Sequence, residues 1–243
     1  MSKNFWIILI VLAIGLGTVF HFTSKSSSSS KANLVGTHHI EGQGSTHITL
    51  VEYGDYQCPY CAEYSPFVTE AVQKFNSQIY FQFKNLPLTQ LHANAEAAAR
   101  AAEAAGLMGK FWDMHNLLYN ESIQHLNNPK SGSWVTASDP KPYFDAFAKS
   151  LSLNIAQFDN YYTGSQVNDL INGDLKDFNA TGAEEATPTF FIDGKQIKPQ
   201  PTVASFSSFI QAAIDKKQGK KTSTPTNSSS NNQSVQPKKT TTN

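Results

Sequence analysis

A pair of cysteines at C-x-x-C spacing, Cys58 and Cys61, constrains this chain more than any other feature. They are its only cysteines. A β-type run at 46–53 precedes them and a helix-like run at 62–75 follows, so they lie at a strand-to-helix junction. The first turn of a helix has unpaired N–H groups and the positive end of the helix dipole, which stabilise a thiolate. The spacing therefore predicts a low-pKa nucleophile at Cys58 and a resolving thiol at Cys61.

The same pair could instead form half of a metal site. Structural zinc takes four ligands, usually from a second C-x-x-C or from paired histidines. The chain has no further cysteine, and its 7 histidines show no paired ligand spacing near the motif. We interpret His38 and His39, the only adjacent histidines, as solvated or at a strand edge. Redox chemistry by the two thiols, with no metal and no other cofactor, is favoured; a cysteine-based copper or zinc carrier is the alternative from another class.

Three later segments accompany the cysteine motif. The motif itself reads E-Y-G-D-Y-Q-C-P-Y-C at 52–61, and T-P-T-F-F-I-D-G follows at 187–194. An alanine-rich run occupies 92–105, and G-K-F-W-D-M-H occupies 109–115. Together these segments resemble the extracytoplasmic DsbA-like disulfide oxidoreductases of the thioredoxin superfamily, over about residues 37 to 215. The combination is specific, whereas each segment alone is a weak signal.

The resemblance implies a role for an acid close to the cysteines. Glu52 takes the position of a buried acid that lies beneath the disulfide and relays protons for the second cysteine. A buried, unpaired carboxyl group has a raised pKa, which suits proton transfer. An exposed strand glutamate is the alternative for Glu52. Asp55, in contrast, is expected to be an exposed loop residue.

The resemblance also implies a substrate-binding half of the site. Pro188 is the expected cis-proline facing the disulfide, and Thr187 is expected to pair through its backbone with an extended substrate segment. Without the resemblance, a trans-proline at the start of an edge strand is equally expected. Pro59 suits the first helical position, and both it and Tyr60 are expected to contact substrate. Tyr60 replaces the histidine of many oxidases in the family, which predicts a less stabilised thiolate.

The fold class predicted is α/β, a thioredoxin fold with an inserted all-helical subdomain at about 89–182. Hydrophobic periodicity predicts strands over 37–40, 46–53, 79–84, 188–192 and 195–197. It predicts helices over 62–75, 91–105, 110–119, 140–151, 155–163, 167–181 and 202–215. The loop at 127–139 is expected near the rim of the active site.

The two ends of the chain differ from the domain at 37–216. Residues 1–23 contain the apolar run 5–20, about long enough to span a bilayer core, where ~20 residues are typical. No small-residue cleavage pattern follows it, which favours an uncleaved anchor over a removed signal peptide. A Ser-rich flexible linker is predicted at 24–36 and a disordered polar tail at 217–243. The domain is therefore expected outside the cytoplasm, on the cell membrane or secreted if the first segment is cleaved.

These features predict an enzyme that introduces disulfides into exported proteins. Its partners would be cysteine-containing exported proteins, a membrane or soluble redox protein that resets the dithiol, and the membrane through the first segment. A formal net charge of zero gives no reason to expect nucleic-acid binding. We expect a monomer. A thioredoxin-like reductase of extracytoplasmic disulfides and a peptide-binding chaperone without redox turnover are the alternatives.

Overall fold

A computed structural model describes residues 36–220 of the chain. Within them a single sheet contains β1 (His39–Glu41), β2 (Ile48–Gly54), β3 (Ile79–Asn85), β4 (Thr189–Ile192) and β5 (Lys195–Ile197). The helices of this region are α1 (Pro59–Phe75), α2 (Ala95–Gly106), α3 (Phe111–Asn127), α4 (Lys141–Ser150), α5 (Ile155–Thr163), α6 (Ser165–Ala180) and α7 (Val203–Lys217). The predicted α/β fold with an all-helical insert is confirmed.

The sheet has the order β1-β3-β2-β4-β5. β2 and β3 are parallel, and α1 makes the crossover that a parallel pair requires. The other pairs are antiparallel, and α2 to α6 lie between β3 and β4 in the chain. β2 is central, so α1 and the cysteine motif begin at the carboxyl end of the middle strand.

The carboxyl end of β2 is more deeply buried than its start. Ile48 and Leu50 are buried while Thr49 is half-buried, as expected for a strand with one covered face. The last residues, 52–54, are all buried, because side chains pack on both faces there. Tyr53, for example, makes edge contacts with Phe178 of α6 and Phe191 of β4. The cysteine motif therefore follows a part of the strand that is buried on both faces.

Two predicted helix boundaries in the insert were wrong. α2 starts at Ala95 and not at 91, because the preceding residues form a turn in which Leu91 N and His92 N donate to Leu88 O. α3 continues past 119 to Asn127, because the chain keeps a packed face through the buried Ser122. The Ser122 hydroxyl donates to Tyr56 O at 2.8 Å, which ties this extension to the residues before the cysteines.

His39 lies on the edge strand β1, which is one of the two positions predicted for it, and its side chain is half-buried and not solvated. Its ring stacks on Phe111 with the centroids 3.3 Å apart, and its Nε2 lies 2.8 Å from Oε2 of the fully buried Glu103. His38 is exposed. Alternation along a short edge strand does not reveal that an aromatic residue of the insert will cover one of its side chains.

Much of the chain outside the domain cannot be compared with the structure. The predicted membrane anchor at 1–23, the linker up to residue 35 and the tail beyond residue 220 lie outside the described residues. No helix within 36–220 is long and apolar enough to cross a bilayer. The assignments of these end segments stay predictions.

Asp174 of α6 joins the first described residues to the end of β3. Its carboxylate accepts hydrogen bonds from Thr37 N at 2.7 Å and from Asn85 N at 2.8 Å, and the Asp174 side chain is fully buried. Lys84 Nζ lies 3.6 Å away. Two chain segments therefore depend on one carboxylate of a third segment to accept from their buried N–H groups.

We expect Asp174→Ala to lower the free energy of unfolding by about 3 kcal/mol, because it leaves buried donors without an acceptor. Urea unfolding measures the change. Asp169→Ala, at an exposed position of the same helix, is the matched control and should cost less than about 0.5 kcal/mol. Equal stabilities of the two variants would contradict this account of Asp174.

Candidate active site

The cysteines occupy the start of α1. Cys58 is the N-cap residue with an extended backbone, Pro59 is the first helical residue, and Cys61 lies one turn into the helix. The helix thus begins earlier than the predicted residue 62. Cys58 N donates to Asp55 O at 3.1 Å, which closes the turn between β2 and the helix. Both thiols are free in this structure.

Cys58 has the properties of a nucleophile. Its pKa is lowered from 9.0 to about 6, chiefly because the Cys61 thiol donates a hydrogen bond to it. Burial acts in the opposite direction, and the Thr187 side chain and the backbone N–H groups of Cys61 and Tyr60 lower the pKa further. The helix N-terminus and the neighbouring thiol together keep Cys58 deprotonated at neutral pH.

Cys61 is in the opposite state. It is fully buried, and burial raises its pKa well above the usual value, with further increases from its hydrogen bond to Cys58 and from the charges of Cys58 and Glu52. The N–H of Asp55 lies 3.4 Å from the Cys61 sulfur and acts against this rise. Cys61 therefore holds its proton while Cys58 is a thiolate.

Glu52 lies at the buried end of β2 and is only 2% exposed. Burial, followed by the charge of Cys58, raises its pKa to about 8. Its Oε1 has no hydrogen-bond partner among the described residues. Such a carboxyl group can take up or release a proton near neutral pH beside the two sulfurs; its part in catalysis stays a prediction.

The Thr187–Pro188 peptide bond is cis, and it places Thr187 against the nucleophile. Cys58 Sγ lies 3.5 Å from Thr187 O. The Thr187 hydroxyl oxygen is buried and has no other hydrogen-bond partner among the described residues, and this side chain lowers the Cys58 pKa. Thr187 therefore contacts the reacting sulfur.

Pro59 and Tyr60 lie at the surface beside a groove. Tyr60 is 64% exposed, and Pro59 is also exposed. The groove has a volume of about 590 Å³ and is lined further by Ala62, Glu63, Pro66, Phe67, Ile123, Leu126, Asn127 and Pro201. It opens next to the cysteine motif, between residues of α1 and α3.

The expectation that Asp55 is an exposed loop residue was wrong. Asp55 is buried because the residues after β3 fold back over it. Its Oδ2 accepts a hydrogen bond from Leu88 N at 3.0 Å and lies 2.7 Å from His92 Nδ1, while its Oδ1 accepts from Gln57 N at 2.8 Å. Leu88 and His92 are more than 30 residues from Asp55 in the sequence, so no local pattern predicts these contacts.

Sequence reasoning also missed Gln57 and Asn94. Asn94 N donates to Gln57 Oε1 at 2.6 Å, and Gln57 Nε2 donates to Val135 O at 2.7 Å. Asn94 Nδ2 donates to Trp134 O at 2.8 Å. These bonds place the loop after α3 beside the residue that precedes Cys58. The position of Gln57 next to the motif was the only local signal.

Aromatic residues of α3 pack against the residues that precede the cysteines. Tyr119 is buried against Tyr56, with ring centroids 4.9 Å apart. A Cβ atom on Gly54 would lie 2.5 Å from the Phe83 ring and 2.8 Å from the Tyr119 hydroxyl oxygen. Glycine is therefore needed at the end of β2. Among residues 36–220 no three His, Cys, Asp or Glu side chains cluster as a metal site.

A thiolate-stabilising C-x-x-C at the start of a helix, opposite a cis-proline in this α/β fold, is an arrangement that suits thiol–disulfide exchange. The thioredoxin family matches this chain over residues 34–212. The chain therefore belongs to the thioredoxin family.

Solved structures share this fold. A thioredoxin-like oxidoreductase from Silicibacter pomeroyi DSS-3 is 22% identical, with a TM-score of 0.57 over 75% of this chain and 92% of that chain. Oxidised BdbD from Bacillus subtilis is 24% identical, with a TM-score of 0.55 over 74% of this chain and 92% of that chain. Each of these two structures therefore matches this fold over nearly its full length.

Curated relatives match the same domain within longer proteins. The Na(+)/H(+) antiporter NhaA 1 of Salinispora arenicola is 30% identical over 176 residues, which are 72% of this chain and 24% of that protein. NhaA 1 of Mycolicibacterium vanbaalenii is 32% identical over 72% of this chain and 26% of its own length. The chain spans about a quarter of the length of these relatives. The antiporter activity in their names refers to those proteins.

The first active-site prediction concerns the hydrogen bond between the two thiols. We expect Cys61→Ala to raise the Cys58 pKa from about 6 towards 9.0, because the largest stabilising contact is lost. Cys61→Ser keeps a donor at this position and should retain most of the shift. The pH dependence of Cys58 alkylation measures the pKa in each protein. An unchanged midpoint in the alanine variant would contradict the assignment.

The second prediction concerns Glu52, whose pKa is raised from 4.5 to about 8 in the folded protein. Between these values the folded state holds a proton that the unfolded state has released, so stability falls as pH rises. Relative to Glu52→Gln, the wild-type free energy of unfolding should decline by up to about 1.4 kcal/mol per pH unit across this window and then level off. Urea unfolding of the reduced proteins measures it.

Glu63→Gln, at an exposed position of α1, is the matched control for this comparison. Its unfolding free energy should follow that of the wild-type protein at every pH. Parallel wild-type and Glu52→Gln curves between pH 4.5 and 8 would show that Glu52 is ionised normally.

Proposed function

We propose that this protein forms disulfides in exported proteins, acting outside the cytoplasm and accepting electron pairs at the Cys58–Cys61 disulfide. The observation that carries the proposal is the set of donors around Cys58, namely the Cys61 thiol and the first N–H groups of α1. Because these donors stabilise the thiolate, they favour the reduced enzyme, and an enzyme whose reduced form is stabilised is a stronger oxidant.

The reaction is thiol–disulfide exchange at Cys58. A client thiolate attacks the Cys58 sulfur of the oxidised enzyme, the Cys58–Cys61 bond breaks, and Cys61 leaves and takes up a proton. A second client thiolate then attacks the client sulfur of the mixed disulfide, and Cys58 leaves as a stabilised thiolate. The client gains a disulfide, and the enzyme holds the two electrons until a redox partner removes them.

Glu52 supplies the proton that Cys61 needs when it leaves. The Cys61 sulfur is fully buried, so its thiolate is unfavourable without a proton donor nearby. A carboxyl group with a pKa of about 8 is largely protonated at neutral pH, and its charge interacts with that of Cys61. In the reverse direction the same group accepts the proton from Cys61.

Client binding would use both sides of the nucleophile. Thr187, which contacts Cys58 through its carbonyl oxygen, offers backbone groups for pairing with an extended client segment. The exposed Tyr60 and Pro59 border an apolar groove that a client side chain can enter. Pro188, which follows Thr187 through a cis peptide bond, lies on the same side of the nucleophile.

The location and partners follow from the sequence of the chain ends. The apolar segment within 1–23 and the Ser-rich segment at 24–36 fit a single-pass anchor with a tether, or a secreted protein if the segment is cleaved. The clients are then exported proteins with cysteines, and a membrane or soluble redox partner reoxidises the enzyme. The protein acts as a monomer, without a cofactor and without nucleic acid.

Equilibrium with glutathione tests the direction of the reaction. The domain is incubated in buffers of defined glutathione potential, and the oxidised fraction of the Cys58–Cys61 pair is measured after acid quenching and thiol labelling. We expect a midpoint nearer −120 mV, the approximate value for a strong oxidant, than −270 mV, the approximate value for thioredoxin. A midpoint near −270 mV would instead identify a reductase.

Catalysed refolding of a reduced secreted protein is the second readout. The wild-type enzyme should introduce its disulfides, and Cys58→Ser should not. Activity that survives replacement of both cysteines by serine would indicate a peptide-binding chaperone. Tight copper or zinc binding without disulfide exchange would indicate a metal carrier.

A further inference from the structure

Asp55 connects the turn that carries the cysteine motif to the turn after β3, beside the resolving thiol. Its carboxyl group is buried and contacts donors from the motif turn, at Gln57 N, and from the residues after β3, at Leu88 N. The third contact is the ring of His92, whose Nδ1 lies 2.7 Å from Oδ2 just before the first helix of the insert. The side chain of His92 is 18% exposed, so the pair extends from the interior to the surface.

The backbone of the same aspartate contacts Cys61. Asp55 N lies 3.4 Å from the Cys61 sulfur. Burial, the Cys58 thiol and the Glu52 charge all disfavour a thiolate at Cys61, whereas this N–H favours one. Two sets of contacts hold this N–H in place: the hydrogen bond from Leu86 N to Gly54 O, in the same peptide unit, and the side-chain contacts of Asp55.

We propose that Asp55 and His92 are positioning residues for the resolving step of thiol–disulfide exchange. They hold the Asp55 N–H against the Cys61 sulfur, so that the buried thiolate can form and attack. The inference rests on the proposed role of Cys61 as the resolving thiol, but it does not depend on whether the enzyme works as an oxidase or a reductase. It also gives the helical insert, through His92, a part in the chemistry.

The step can be isolated with glutathione disulfide and the reduced enzyme. The Cys58 thiolate attacks one glutathione sulfur, a Cys58–glutathione bond forms, and one glutathione thiolate is released and protonated by water. Cys61 then gives its proton to Glu52, as proposed above, and attacks the Cys58 sulfur. The Cys58–Cys61 bond forms and the second glutathione leaves, so that the enzyme loses two electrons and glutathione disulfide gains them. Only this second exchange needs the Cys61 thiolate.

The chain offers graded variants of the pair. His92→Ala removes the side-chain contact to Oδ2, and His92→Asn restores a donor near the position of Nδ1. Asp55→Asn keeps the size of the side chain but replaces one acceptor oxygen with an NH₂ group. That group then faces an N–H that now donates to the carboxylate. His38→Ala, at an exposed histidine, is the matched control.

The test mixes each reduced full-length protein with glutathione disulfide at one pH, quenches with acid and follows the Cys58–glutathione adduct by mass spectrometry. We expect His92→Ala and Asp55→Asn to slow the decay of the adduct by about tenfold, the effect of losing a hydrogen bond to a charged group. His92→Asn and His38→Ala should decay at nearly the wild-type rate. The alkylation midpoint of Cys58 should stay at its wild-type value in all variants.

Two results would overturn the inference alone. One is adduct decay at the wild-type rate in both His92→Ala and Asp55→Asn. The other is a Cys58 midpoint that moves together with the decay rate, which would show general loosening of the site. If Asp55→Asn does not fold, the comparison of His92→Ala with His92→Asn decides by itself. A wild-type protein that glutathione disulfide does not oxidise, with neither the adduct nor the Cys58–Cys61 disulfide formed, would overturn the proposed function and, with it, this inference.

Discussion

The hydrogen bond from the Cys61 thiol to the Cys58 sulfur is the interaction on which the chemistry of this protein depends. It is the largest influence on the Cys58 pKa, and it opposes the burial that alone would keep that thiol protonated. The start of α1 adds backbone N–H groups, and Thr187 adds a contact from the far end of the insert. The fold supports this arrangement because β2 is the central strand and its carboxyl end, where α1 begins, is buried.

Two acids three residues apart, Glu52 near the end of β2 and Asp55 just after the strand, show how different surroundings give the same group different roles. Glu52 and Asp55 are both buried, but their neighbours differ. One carboxylate oxygen of Glu52 has no partner among the described residues, and burial raises the pKa of this group to about 8, which suits proton transfer. The carboxyl group of Asp55 accepts from Gln57 N and Leu88 N and contacts the His92 ring, which suits a fixed structural position. The same carboxyl group is thus suited to proton transfer in Glu52 and to fixing the backbone in Asp55.

The parts of the site that the sequence predicted are those encoded within a few residues. The C-x-x-C spacing and the run of β2 each appear in a local pattern, whereas the roles of Thr187 and Pro188 came from the resemblance to the DsbA-like family. The exposure expected for Asp55 was wrong because its partners, Leu88 and His92, are 33 and 37 residues away. Burial of such a loop residue depends on how the chain returns after β3. No periodicity encodes that return, and the same limit applies to the contact between His39 and Phe111.

The pKa of Cys58 in the wild-type reduced protein is the most direct measurement of the central claim. Reduced protein is alkylated briefly over a range of pH values, and the modified cysteine is identified by peptide mass spectrometry. The account predicts modification at Cys58 with a midpoint near 6 and little reaction at the buried Cys61. A midpoint at or above about 8.5, the ordinary value for a free cysteine, would contradict it, because no stabilised thiolate would then exist at neutral pH.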